Sequence, residues 1–306
     1  MELDLTRTAV GLAFLLVAAM MDWRRRVVKD AVWVAFGAVA LALVETNLVL
    51  AAVPWVLHLM PAATAVLYFG VFFGKPMWDE DGFHVRPLRF LLYLATPFAV
   101  LLAWRLSTGD AAALGRFYQL LTMPGMIVVA HGMYEFNLLR GGADAKAAMA
   151  LGLLFPGVYP HLGPLPLLAP SPIVEPILAV WFPLAFVVIV NAAVLFLVAP
   201  LIFLARNAAA GHASLPRALF GYRVPIDAVP KYVWFMDRVE DGHVVTVYFP
   251  RRREDRGDQI RKLKEQGLEH VWVTPQLPFV VAILIGYLLA VVVGNVLLAM
   301  FGRLGA

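Results

Sequence analysis

Long apolar runs separated by short charged segments dominate the pattern of this 306-residue chain. A membrane-spanning helix needs about 20 mainly apolar residues, and eight stretches approach that length, although the second is short. The predicted spans cover residues 5–21, 31–44, 48–73, 87–104, 117–139, 143–155, 173–204 and 277–301. The pattern therefore predicts an all-α polytopic membrane protein with about eight transmembrane helices, within a range of six to eight.

Two segments between the spans carry further structural predictions. We expect Glu45, Thr46 and Asn47 to form a tight turn between the second and third spans, with Pro54 and Pro61 kinking the third. The proline-rich stretch 156–172 is apolar but cannot form a regular helix, because proline lacks the amide hydrogen that a helix needs. It is expected to be a surface cap or a re-entrant segment.

Residues 205–276 are polar and form the one long stretch that could fold in water. The alternation of apolar and polar residues predicts a hairpin formed by residues 232–235 and 244–249. A helix is predicted at 255–266 and a further strand at 270–273. The result is a small ββαβ-like α+β domain, inserted on the cytoplasmic side before the last helix. Three parts are therefore expected: a transmembrane catalytic core (1–204), the insert (205–276) and the last transmembrane helix (277–306).

Composition excludes several functional classes. The chain is 61% hydrophobic and 15% charged, which is unlike a soluble domain of this size. It has no cysteine, so disulfides, thiol nucleophiles and thiolate metal sites are excluded. The net charge of +4 does not indicate nucleic acid, because the basic residues lie beside apolar segments, as they do in membrane proteins. Membrane lipids, and no nucleic acid, are the expected general partners.

Two carboxylates end or begin apolar runs. Asp22 ends the first run, and Asp144 follows Gly141 and Gly142 at the start of the sixth. Ionisable groups in such places are costly and suggest function. Two adjacent carboxyl groups share a proton, so one can take a proton from water while the other polarises a peptide carbonyl. This chemistry needs no metal or organic cofactor, and the glycines would let the backbone turn and a substrate approach.

Other readings of these carboxylates stay open. Asp144 could be the N-cap of the sixth helix, and Asp22 a counter-ion for Arg25 or Arg26, three and four residues later. A transporter could use both aspartates with Glu135 as a proton or cation pathway. We disfavour a transporter because the aspartates lie at helix ends, whereas transporter sites lie near the middle of the membrane.

Two further charged features were weighed. His131 and Glu135 are four residues apart on one helix face, but two ligands without a third are too few for a metal site. We expect a buried hydrogen-bonded pair there and predict no metal. Lys146 follows Asp144 by two residues and should point elsewhere on the helix, where its amine can reach the lipid headgroups.

The basic residues also predict an orientation. With the N-terminus outside, nine lysine and arginine residues fall on the side of the two aspartates and four on the other side, if the soluble insert is left out. The nine are Arg24, Arg25, Arg26, Lys29, Lys75, Arg86, Arg89, Arg140 and Lys146; the four are Arg7, Arg105, Arg116 and Arg303. Both aspartates are therefore predicted at the cytoplasmic face of the cell membrane.

Three stretches resemble a known family. The segment from Asp22 to Asp30 (DWRRRVVKD) resembles the first-aspartate motif of type IV prepilin peptidases, an Asp followed by alternating basic residues, an aliphatic residue and Asn or Asp. The segment from Gly141 to Lys146 (GGADAK) resembles their second motif, the GxGD signature of intramembrane aspartyl proteases. Residues 271–279, with glycines in the last span, are similar to the C-terminal part of archaeal preflagellin peptidases.

The resemblance implies an aspartic endopeptidase that needs no cofactor. It would remove the short, positively charged leader of prepilin-like or preflagellin precursors at the cytoplasmic membrane face, with Asp22 and Asp144 as catalytic residues. Supporting motif residues would be Gly141, Gly142, Ala143, Lys146, Arg24, Arg26 and Asp30.

The chain departs from the family pattern in several places. Ala143 replaces the second glycine of GxGD, and the segment between the aspartates holds about two more spans than compact members have. The cysteine-rich domain of bacterial enzymes is absent, so no N-methyltransferase activity is expected. The proline-alanine-leucine motif of presenilin-like enzymes is also missing, which makes a presenilin- or signal-peptide-peptidase-like protease the less favoured relative.

Overall fold

A computed structural model describes residues 2–73, 78–79, 82–83, 86–136, 138–139, 141–248 and 255–296. The chain divides into two compact units, residues 1–192 with 279–306, and residues 193–278. The α-helices are α1 (Glu2–Arg25), α2 (Asp30–Leu50), α3 (Leu59–Phe72), α4 (Pro87–Ser107), α5 (Ala111–Glu135), α6 (Gly142–Leu154), α7 (Glu175–Trp181), α8 (Leu184–Phe196), α9 (Val198–Ala209), α10 (Arg217–Phe220), α11 (Arg256–Glu265) and α12 (Phe279–Val292). The strands are β1 (Trp78–Asp79), β2 (Gly82–Phe83), β3 (Tyr222–Pro225), β4 (Val233–Phe235), β5 (Asp237–Glu240), β6 (His243–Thr246) and β7 (His270–Pro275).

Six helical stretches in the described part of the chain are long and apolar enough to cross a membrane. They are α1, α2, α3 with the short 3₁₀ turn before it, α4, α5, and α8 continued into α9. Two further apolar helices, α6 and α12, have 13 and 14 residues and so are about 20 Å long. The prediction of a polytopic helical membrane protein with a small α+β domain near the C-terminus is confirmed.

The boundary between the second and third spans differs from the prediction. α2 continues through Glu45 and Asn47 to Leu50, and the chain turns at residues 51–54. Pro54 lies in this turn and does not kink a helix, because proline lacks an amide donor and disfavours helical geometry in the residue before it. Pro61 does not kink the third span either, because it lies in the first turn of α3, where a backbone N–H would have no partner within the helix. His58, in the 3₁₀ turn that follows, contacts the Glu45 carboxylate 2.5 Å away.

The seventh predicted span is divided into separate helices. α7 ends at Trp181, and α8 begins after Pro183, which cannot donate the hydrogen bond that would continue α7. The proline-rich stretch before them is irregular, as predicted. There Leu168 forms a parallel bridge with Gly294, just after α12.

The core of the first unit forms where α6 packs against α1, α2, α5 and α12. Small side chains let the helices approach closely, as in other membrane bundles. At the α8–α12 contact, a Cβ added to Gly286 would lie 2.5 Å from the carbonyl oxygen of Val188. Asn191 donates from Nδ2 to the carbonyl of Gly294, 3.1 Å away, so a buried amide also joins these two segments.

The second unit contains a three-stranded antiparallel sheet in the order β3-β7-β4 and a separate β5-β6 hairpin. The helix predicted at 255–266 and the strand predicted at 270–273 are confirmed by α11 and β7. The predicted hairpin is wrong, because β4 pairs with β7 and β5 pairs with β6. The reason lies in Asp241 and Gly242, which adopt φ values of 51° and 77° and form a two-residue turn that favours this hairpin.

Candidate active site

Asp22 lies in the last turn of α1 and is 9% exposed. Its Oδ2 accepts a hydrogen bond from the backbone N–H of Val280, 3.2 Å away. Val280 is the second residue of α12, and the first N–H groups of a helix have no partner within that helix. A helix N-terminus also carries partial positive charge. The carboxylate of Asp22 is therefore oriented by α12, and this hydrogen bond stabilises its ionised form against the effect of burial.

Arg26 directly follows α1 and closes its last turn. It adopts a φ of 56°, and both its backbone N–H and its guanidinium donate to the carbonyl of Asp22, at 2.9 and 3.3 Å. Its positive charge also acts on the Asp22 carboxyl group. The counter-ion relation expected between Asp22 and Arg26 is thus present, alongside the contact with α12. Arg24 and Arg25 are exposed.

Asp144 is the third residue of α6 and is 8% exposed. The N-cap position belongs to Gly141, so the reading of Asp144 as the N-cap is wrong. Instead, its carboxylate folds back over Gly141 and accepts a hydrogen bond from the N–H of that residue. A Cβ on Gly141 would lie 2.9 Å from Cγ of Asp144 and 3.3 Å from Oδ1. The glycine therefore provides the space in which this carboxylate lies.

The other small residues of the second motif have different surroundings. A Cβ on Gly142 would lie 3.7 Å from the Tyr134 ring, an ordinary van der Waals distance. Ala143, which replaces the family glycine, is partly exposed and already accommodates its methyl group in the first turn of α6. Of the three positions, only Gly141 must lack a side chain in order to leave Asp144 where it is.

Lys146 connects the two motifs. Its Nζ lies 2.6 Å from Oδ1 of Asp30 and 5.2 Å from the centroid of the Phe72 ring. The expectation that Lys146 would extend to the lipid headgroups is wrong, because a carboxylate at the start of α2 lies within its reach. This ion pair joins the end of the first motif to the first turn of α6.

The two aspartates are brought together by α1 and α6. Both carboxyl groups are more than nine-tenths buried, and they are close enough for the charge of Asp22 to act on Asp144. Charges interact strongly in such a low-dielectric setting, so the two groups do not ionise independently. An arrangement of this kind can hold one proton between two carboxylates, which suits general acid and base work on a single bond.

His131 and Glu135 are paired but not buried. Nε2 and Oε1 are 3.6 Å apart, and both side chains are more than half exposed, so the expected buried pair is wrong. No group of three acidic or histidine side chains placed to hold a metal occurs among the described residues. Three residues that contribute to the predicted orientation, Lys75, Arg140 and Arg303, lie outside the described residues.

Sequence reasoning missed the contact between Asp22 and Val280. Pro278 precedes α12, and a proline at this place is a recognised signal for the start of a helix. The last span is predicted to begin at residue 277, so the sequence locates the N-terminus of α12 to within two residues. It could not have shown which carboxylate would cap it, because Asp22 and Val280 are 258 residues apart.

Two comparisons with known proteins concern the class of protein to which this chain is similar. Residues 213–296 match the family model Archaeal Peptidase A24 C-terminus Type II. The chain is also 27% identical over 206 residues to a preflagellin peptidase from Methanococcus voltae, covering 63% of this chain and 82% of that protein. These two findings confirm the resemblance to archaeal prepilin and preflagellin peptidases, and they support a protease.

Proposed function

We propose that this multi-pass membrane protein is an aspartic endopeptidase that cleaves the positively charged leader of prepilin-like or preflagellin precursors. The observation that carries the proposal is the meeting of Asp22 and Asp144, two buried carboxylates from distant parts of the chain. The similarity to a preflagellin peptidase supplies the class of substrate. The excess of basic residues beside the aspartates supports a site that faces the cytoplasm, where such leaders lie.

The surroundings of the two carboxylates suggest different roles. Asp22 accepts a hydrogen bond from a backbone N–H at the N-terminus of α12 and interacts with the positive charge of Arg26. Both interactions favour the ionised form of the Asp22 carboxyl group. Each carboxylate is buried and accepts one backbone hydrogen bond, but the charge that acts on Asp22 is the positive one of Arg26, whereas the charge that acts on Asp144 is the negative one of Asp22. We therefore assign the shared proton to Asp144. Asp22 is then the general base and Asp144 the general acid.

The proposed reaction follows from these roles. Asp22 removes a proton from water as the water oxygen attacks the scissile carbonyl carbon, while Asp144 hydrogen-bonds to the carbonyl oxygen and transfers its proton there. The tetrahedral intermediate then collapses and the C–N bond breaks. The proton held by Asp22 passes to the leaving amine, and Asp144 regains its proton from the hydroxyl as the new carboxyl group forms.

Isosteric substitution tests this assignment. Asp22→Asn and Asp144→Asn should each abolish cleavage of a prepilin-like substrate by the full-length protein in membranes, because neither amide can exchange a proton as the carboxylate does. Glu135→Gln is the matched control, since this exposed carboxylate belongs to the last residue of α5 and lies outside the proposed dyad. It should leave cleavage within about twofold of the wild type.

The outcomes separate the two hypotheses. Full activity in either aspartate variant, with equal amounts of folded protein in the membrane, would remove the dyad from the mechanism. A transporter that uses Glu135 predicts the reverse pattern: proton or cation flux in liposomes, reduced by Glu135→Gln, and no cleavage by any variant.

A further inference from the structure

A second site lies at the opposite end of α1 from the proposed dyad. Arg7 precedes Asp22 by 15 residues, or about 22 Å along the helix axis at 1.5 Å per residue. It lines a narrow cleft, open at its mouth, formed by the start of α1, the end of α2, the start of α5 and the chain after α6. The lining residues used below are Arg7, Asn47, Arg116 and Gln119.

Arg7 is unusual because it is 3% exposed and its Nε and Nη2 atoms are buried without a hydrogen-bond partner in the described part of the chain. A guanidinium keeps its charge in proteins. A buried donor on a charged group that has no acceptor costs free energy of folding. The negative charge of Asp4 acts on Arg7, and the positive charge of Arg116 opposes it. Two guanidinium groups line the cleft and, among the described residues, no carboxylate does, so the lining carries an excess of positive charge.

The remaining walls supply more donors and a fixed frame. Arg116 is half-buried and donates from Nη1 to Oε1 of Gln119, 3.1 Å away, which turns the amide NH₂ of Gln119 away from the guanidinium. Gly157 adopts a φ of 57°, and a Cβ there would lie 2.6 Å from Cα of Gln119. The segment after α6 thus presses against the backbone of α5. Asn47, near the end of α2, adds another amide to the lining.

We propose that this cleft binds a phosphate group through Arg7 and Arg116. A phosphate carries up to two negative charges and several acceptor oxygens, so it can accept from both guanidinium forks and from a side-chain amide together. A carboxylate has only two oxygens and one charge. The group could belong to a lipid headgroup, since the cleft lies at helix ends in a membrane protein, or it could be free phosphate.

The test uses the full-length protein purified in an uncharged detergent at constant ionic strength. Binding and thermal stabilisation are measured with inorganic phosphate in one arm and dioctanoyl phosphatidylglycerol in the other. Sodium chloride and dioctanoylglycerol, which lacks the phosphate, serve as the respective controls. A ligand that binds only the folded state raises the unfolding temperature as its concentration rises.

Arginine variants identify the site. Arg116→Gln should weaken binding of the effective probe about ten- to a hundredfold, the loss expected when a charged hydrogen-bond donor is removed. Arg105→Gln is the matched control, because this exposed arginine lies at the same end of the bundle, in the last turn of α4, and does not line the cleft. Its affinity should equal that of the wild type. Arg7→Gln is a second variant, and Arg116→Gln alone tests the site if loss of Arg7 prevents folding.

Each outcome has a defined meaning. Binding in both arms with the loss in Arg116→Gln supports a phosphate site open to either source. Binding in the lipid arm alone assigns the site to a headgroup, and binding in the phosphate arm alone assigns it to a soluble phosphate. No binding of either probe, or equal affinity in Arg116→Gln and Arg105→Gln, would overturn the proposal. Because cleavage is not measured, these outcomes do not depend on the dyad.

Discussion

Gly141 offers the sharpest test of how the second motif works. A Cβ at this position would lie 2.9 Å from Cγ of Asp144 and 3.3 Å from Oδ1, and nearer still to Oδ2. Gly141→Ala must therefore displace the carboxylate, because carbon atoms pack no closer than about 3.5 Å. The backbone itself accepts alanine without strain, since φ is −95° and ψ is 124°.

The size of the effect follows from that displacement. The carboxylate has to move by roughly 1 Å, and a misplacement of that size in catalytic geometry can cost about a hundredfold in rate. We therefore expect kcat/KM to fall about a hundredfold, or about 2.7 kcal/mol of transition-state stabilisation. Stability should change by about 1 kcal/mol or less, because a short side chain moves, while alanine is a somewhat poorer N-cap than glycine.

Gly142→Ala is the matched control, one residue along the same motif. Its Cβ would meet the Tyr134 ring at 3.7 Å, and alanine is the better helix former by about 1 kcal/mol. Its activity should stay within about twofold of the wild type. Both variants would be assayed as full-length protein by following the shift in size of a prepilin-like substrate on a gel. Equal activities for the two variants would refute the reasoning that Gly141 makes room for Asp144.

Three further predictions concern the contacts around this site. Val280→Pro removes the backbone N–H that donates a hydrogen bond to Asp22. Cleavage should slow at least about tenfold relative to Val280→Ala, which keeps that donor. Equal cleavage rates in the two variants would show that the hydrogen bond is dispensable. In a double-mutant cycle with Asp30→Asn and Lys146→Met, the coupling energy in thermal or denaturant unfolding should stay below about 1 kcal/mol, since Asp30 is 61% exposed. A value above about 2 kcal/mol would contradict that solvent screening. Gly286→Val should lower the unfolding temperature and reduce the free energy of unfolding by about 1–3 kcal/mol or more, because its Cβ would lie 2.5 Å from a backbone carbonyl oxygen of α8. An unchanged unfolding temperature would contradict the close packing of α8 and α12.

Local pattern was sufficient for the membrane-spanning character and for the resemblance to archaeal prepilin and preflagellin peptidases. Apolar runs of about 20 residues can hardly be anything but spans, and the start of α6 follows from two glycines that interrupt such a run. Errors occurred where the local pattern allows more than one answer. A polar Glu45 inside an apolar run suggested a turn, but α2 continues through it because His58 can reach the carboxylate from the next segment.

The amino-acid sequence by itself determined that the chain crosses a membrane repeatedly and that two aspartates, each in a recognisable motif, lie at the ends of apolar runs. Only the tertiary structure decided that Asp22 meets the N-terminus of α12, that Lys146 pairs with Asp30, and that Arg7 and Arg116 line one cleft. The physical reason is that periodicity reports which face of a helix is buried. It does not report which helix lies opposite, because that choice depends on packing between residues far apart in the chain.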